Sequence, residues 1–178
     1  QVHPDCVMDQ IQNQPTAAGV MLRLFDGYEK RHIELHGQTT TDTKGKVNGK
    51  PITVDASLSL DLVAKHLDGG MPVGVAPVKA DSTCSWGVLD VDWYDMPEDD
   101  VMALRDRLRT RCAAFRTKSR GLHIVVFVDE PIPAKQMYQY LVALRKRLPK
   151  AVQAKTEIFP KETQTVVTPD NEPTAVWL

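Results

Sequence analysis

Apolar positions along the chain change period several times, and the changes mark out its elements. Residues 16–25 carry Val20, Leu22, Leu24 and Phe25 at spacings that predict a short helix. The triplet Ile52-Thr53-Val54 reads as a strand. Ser59 caps a second helix through Leu60, Val63, Ala64 and Leu67, which Gly69-Gly70 ends. Residues 73–78 form a short apolar strand. Between the first helix and these elements, 37–50 is rich in Thr, Lys and Gly. It reads first as a solvated loop or hairpin; the sharper alternative is a phosphate-facing loop carrying Lys44, Lys46 and Lys50.

The second half is more sharply patterned. SWGVLDVDW (85–93) has the composition of a strand. Asp95 and Pro97 open a helix with Val101, Leu104 and Leu108 on one face. A short strand at 112–116, a turn at 118–121 and the apolar run LHIVVFV (122–128) follow. Pro133 opens a helix carrying Met137, Leu141, Leu144 and Leu148, and Glu157-Ile158-Phe159 is a last strand stopped by Pro160. The order β-α-β-β-α-β predicts an α+β fold with a ferredoxin-like (RRM-like) split βαβ sheet, preceded by an N-terminal α/β module.

Strand parity then sorts the side chains, since alternate residues share a face. Leu89 and Val91 point one way and Asp90 and Asp92 the other. Leu122, Ile124, Val126 and Val128 share a face opposite His123, and Ile158 lies opposite Glu157 and Phe159. Both amphipathic helices require the aliphatic face, which leaves the acids and the histidine on the other. In a split βαβ sheet the first strand lies between the third and fourth. That brings Glu157 and His123 to either side of Asp90, each roughly 5 Å away. Three converging carboxylates raise one another's pKa. A divalent ion relieves this, and hard oxygen donors suit Mg²⁺ or Mn²⁺, which complete their shells with water and substrate phosphates. Two acids on a strand are, by themselves, more often a solvated face, and a lone histidine more often a hydrogen-bonded structural group. The four residues together favour a metal–nucleotide site.

Composition narrows this little. The chain has 178 residues, 42% hydrophobic and 25% charged, with a net charge of −1. It therefore fits one domain and has no global basic field. Three separated cysteines, Cys6, Cys84 and Cys112, offer neither a disulfide framework nor a zinc motif, which points to a reducing, cytoplasmic compartment. No apolar run has the length of a membrane span. Residues 1–15 are expected to be frayed, and 16–178 to be a single catalytic domain with modules at 16–80 and 81–178. The start at Gln1 and the apolar end AVWL (175–178), which reads like a strand cut short, give the chain the look of a piece of a longer protein.

WGVLDVDWYD, TKSRGLHIVVFVDEPIPA and EIFPKE together resemble the three-motif pattern of the archaeo-eukaryotic primase superfamily, in particular the primase-polymerase domains of phage and plasmid replication proteins. Upstream, LFDGYEKRHIELHG, HLDGG and VGVAPVKADSTCSWG are also similar to that group, so the resemblance covers roughly residues 22–178. It implies template-directed primer synthesis and extension by two-metal nucleotidyl transfer from NTPs or dNTPs. The partners would be a single-stranded DNA template and primer, with a helicase fused or associated. By resemblance, Asp90, Asp92 and Glu157 are metal ligands, and His123 and Ser119 contact the triphosphate. Lys118 and Lys161 match flanking basic positions. Arg120 departs from the pattern, standing where relatives have a second glycine, and is either a phosphate contact or a solvated side chain. Two other readings use the same residues: a metal-dependent nuclease, and a nucleic-acid-binding module without activity. Arg145, Lys146, Arg147 and Lys150 read as a solvated helix end before a DNA contact. Trp93 and Tyr94 read as core or rim before a stacking platform.

Overall fold

The structure, a computed structural model, describes residues 16–41, 43, 47–108, 112–117 and 119–178. The expectations for residues 1–15, Lys44, Lys46 and Lys118 lie outside them. Helix α1 (Ala17–Leu24) starts where the Thr16 hydroxyl accepts from the Gly19 amide. Strands β1 (His32–Thr41) and β2 (Val47–Val54) pair antiparallel, so the Thr/Lys-rich stretch is part of a hairpin. Helix α2 (Leu60–Leu67) is capped by Ser59, whose hydroxyl accepts from the Leu62 amide, and β3 (Val73–Val75) follows.

The second half supplies β4 (Thr83–Val91), α3 (Glu98–Leu108), β5 (Ala113–Arg116), β6 (Leu122–Pro133), α4 (Ala134–Arg145), α5 (Lys150–Gln153), β7 (Thr156–Phe159) and β8 (Val176–Trp177). Strand β4 lies two residues earlier than expected, and β6 runs five residues further, to Pro133. The strands form two four-stranded sheets among the described residues. One has the order β2-β1-β3-β8, the other β5-β6-β4-β7, and every pairing is antiparallel. The chain's mixed α/β architecture is therefore of the α+β kind. Strand β8 returns from the end of the chain to β3 of the first sheet, crossing the boundary drawn at 80/81. No described helix is long and apolar enough to cross a membrane.

Two apolar layers hold the second sheet. On one face, Leu89, Val91, Leu122, Ile124, Val126 and Ile158 pack against Val101, Leu104 and Leu108 of α3 and Met137, Leu141 and Leu144 of α4. Helix α4 rides so close that a Cβ on Gly87 would stand 2.8 Å from side-chain carbons of Met137 and Leu141. The other face is covered as well, which strand parity alone does not foresee. Trp86, Val88, Val125 and Phe159 pack there against Val75 and Val176 of the first sheet, with Phe25 alongside. The Trp86 indole N–H donates to the Asp26 carbonyl at 3.1 Å, and its ring meets Phe25 edge-on at 5.0 Å. Cys84 is a buried free thiol.

Candidate active site

Successive lateral rows on that inner face change character. The row formed by Val88, Val125 and Phe159 is apolar and seals the two sheets together. Two residues further along β4, Asp90 pairs in register with His123 of β6 on one side and Glu157 of β7 on the other. The same parity that buries Val88 thus delivers a carboxylate, an imidazole and a second carboxylate to one line where the sheets part. They form one wall of a cleft of about 550 Å³.

The groups on this wall are held individually. His123 Nε2 lies 3.3 Å from Asp90 Oδ1, with His123 only 9% exposed. Asp92 stands past the end of β4, where its amide donates to the Lys155 carbonyl at 2.8 Å. Its Oδ1 accepts from the Tyr94 hydroxyl at 2.7 Å. Glu157 faces Lys161, four residues on, with Nζ 3.3 Å from Oε2. Ser119 is buried on the turn entering β6 and also lines the cleft. That turn is tied by Thr117 N–H to Gly121 O at 3.1 Å and Arg120 N–H to Thr117 O at 2.9 Å.

Asp90, Asp92, Glu157, His123 and Ser119 are therefore brought to one cleft. Convergence on a single point is not found: no group of three or more His, Cys, Asp or Glu side chains among the described residues is arranged to hold a metal ion. The reason is local, because Tyr94 and Lys161 draw two of the carboxylates toward separate partners and Asp92 is off the ladder. In donor chemistry the set still fits a hard divalent cation, being all carboxylate oxygen on a wall open to water. Arg120 does not line the cleft; it is exposed beside Tyr94, Glu98 and Arg116, with φ of +61°. Lys161 sits on the outer side of Glu157, its ammonium 5.0 Å from the Phe159 ring centre. Trp93 packs, partly buried, against the core on the helix-covered face of the second sheet, in line with core or rim.

The facing wall comes from the first sheet and its helix. His66 and Gly69 at the end of α2, Pro72, and residues 175–178 including Trp177 line it. The His66 Nδ1 lies 3.2 Å from the Met71 carbonyl, which can only accept, so Nδ1 is the donor. Neither His66 nor Trp177 was singled out from sequence for a role in the site. Their placement depends on β8 pairing with β3, which leaves no local pattern.

A family model described as the TOTE conflict system, Archaeo-Eukaryotic Primase domain, matches residues 30–168. No curated protein was found that matches the chain. The matched span takes in all of the second sheet and every carboxylate of the cleft, and by it this chain belongs to the archaeo-eukaryotic primase domain family of TOTE conflict systems.

Proposed function

We propose that the cleft binds a nucleoside triphosphate and transfers its nucleotidyl group to the 3′-hydroxyl of a strand annealed to a single-stranded DNA template. The observation that carries this is the row Asp90, His123 and Glu157, set side by side at the mouth between two sheets. Family membership supports a nucleotidyl-transfer, primase-like activity. The split βαβ reading of the second sheet accords with its strand order.

Asp90, Asp92 and Glu157 are the residues that would hold Mg²⁺ or Mn²⁺, the two-metal arrangement included. Such an ion supplies neutralisation of the triphosphate and acidity toward the attacking hydroxyl. The protein's own groups do the positioning. His123 and Ser119 offer an N–H and an O–H to phosphate oxygens from one side of the cleft, and Arg120 and Lys161 are flanking cations, with Lys118 carried over from the motif resemblance alone. The apolar wall of Pro72, Val176 and Trp177 faces the nucleoside. In the reaction the 3′-oxygen forms a bond to the α-phosphorus, the bond to pyrophosphate breaks, and the hydroxyl proton passes to water. No nucleophilic side chain is needed.

The motif resemblance points to phage or plasmid replication with an associated helicase, in the cytoplasm of a bacterial host, whereas the matched family model is described by a conflict system. The chemistry proposed for the cleft is independent of that setting. The test is incorporation of labelled NTPs and dNTPs on a single-stranded template with Mg²⁺ or Mn²⁺, with and without primer. Asp90→Ala/Asp92→Ala should lose at least about a hundredfold in rate with its unfolding midpoint nearly unchanged. Metal-dependent cleavage of the template without incorporation would make the site a nuclease. Template binding alone, unaffected by the double substitution, would leave a binding module.

A further inference from the structure

A second groove lies on the opposite layer of the molecule, behind the second sheet, where the end of α3 meets the segment joining α4 to α5. Its volume is about 570 Å³, and the charged residues lining it are Arg107, Lys146, Arg147 and Lys150, all exposed. No carboxylate lines it among the described residues. None of the four forms an ion pair among the described residues, although Arg31, Lys79, Arg105, Arg116 and Lys161 all do. Four unmatched cations on a chain of net charge −1 make a local field that the overall balance conceals.

The segment that carries Lys146 and Arg147 is also tied down. The Gln153 side-chain amide donates to the Leu148 carbonyl at 2.7 Å and to the Lys146 carbonyl at 3.3 Å. Arg147 and Leu148 amides donate to Leu144 and Arg145 carbonyls at 2.9 and 3.0 Å, while Leu108, Leu144 and Leu148 are buried beneath. A held backbone therefore presents these charges, and what binding a polyanion still has to order is the exposed side chains themselves. Among the described residues no aromatic side chain lines the groove, which favours contact with phosphates over stacking with bases.

We infer that this groove binds the phosphodiester backbone of a nucleic acid strand, independently of sequence, on the face away from the cleft. The choice of a nucleic acid among polyanions rests on the function proposed above. The strand would be held at two places on one molecule, chemistry at one and charge at the other.

The experiment measures fluorescence anisotropy of labelled dT₂₀ against salt for the wild type and for Lys146→Gln/Arg147→Gln/Lys150→Gln. Loss of three phosphate contacts should make the slope of log K against log salt shallower by about 2. Between about 50 and 200 mM salt the wild type should therefore lose roughly twentyfold more affinity than the variant. Wild-type affinity and slope in the triple variant overturn the inference. If that variant's melting is altered, Arg107→Gln/Lys150→Gln, with one change from each rim, decides by a slope change of about 1.4. ATP binding with Mn²⁺, read by thermal shift in wild type and Asp90→Asn/Asp92→Asn, reports on the cleft alone. Failure there with a groove-dependent slope intact counts against the cleft reading and leaves the groove standing.

Discussion

Gly121 brings the turn close against the acid-bearing strand. A Cβ there would lie 2.7 Å from the Val91 carbonyl oxygen, a backbone atom that cannot swing aside. Gly121→Ala should therefore cost about 1–3 kcal/mol in urea unfolding. It should also lower incorporation, because Ser119 and Asp92 flank the displaced contact. Its neighbour Arg120 has φ of +61°, the left-handed region that glycine occupies without strain. The departure noted from sequence thus has a backbone meaning, and Arg120→Gly should raise stability by about 0.5–1 kcal/mol in the same assay. Cys84 is a third such case. Burial pushes its thiol up to about 12, so folded protein keeps it neutral. It should resist thiol reagents at about pH 8, and above pH 9.0, where the unfolded thiol ionises and the folded one does not, stability should fall.

At the scale of elements, β4 was legible because Leu89, Asp90 and Val91 alternate between core and cleft, and α3 and α4 because their leucines recur at helical spacing. Strand β1 was only half seen, as a hairpin over 37–50. HIELH puts His32, Glu34 and His36 on one face and only Ile33 and Leu35 on the other. Those three polar residues satisfy one another. His36 Nε2 approaches Glu34 Oε2 at 2.6 Å and His32 Nε2 approaches Oε1 at 3.1 Å. The hydrogen bond from His36, followed by that from His32, holds Glu34 below its ordinary value of 4.5. A depressed carboxylate adds stability above its unfolded pKa and loses it as pH falls. Wild type should accordingly lose more stability between about pH 6 and pH 3 than Glu34→Gln does, read from urea midpoints. Equal losses would mean the three side chains are not coupled in solution. Strand β8 is readable as a strand from the apolar run AVWL, but two residues carry no period that names its partner β3.

For the whole molecule, the decisive contact is the one between sheets. Trp86 is fully buried there and reaches across to Asp26. Trp86→Phe removes the indole N–H, leaves the Asp26 carbonyl without that donor and vacates volume, which should cost about 1–3 kcal/mol. Because both sheets share this layer, near- and far-ultraviolet dichroism should still report one coincident transition. Two transitions would show the sheets to be separable. The inner layer also explains what was hidden from sequence: parity named the residues that face away from the helices, but only tertiary pairing shows which of them a second sheet covers and which it leaves open as a cleft.

The pairing of Gly74 with Trp177 has a temporal side. On the ribosome β3 emerges about a hundred residues before its partner, and closing so long a loop is entropically slow. The acid-bearing strands can assemble with their helices earlier, yet the wall opposite them waits for residues 176–177. A nascent chain would therefore carry its charged row before it has a pocket to put it in, and nucleotide binding should switch on only once Trp177 has left the ribosome and paired with Gly74.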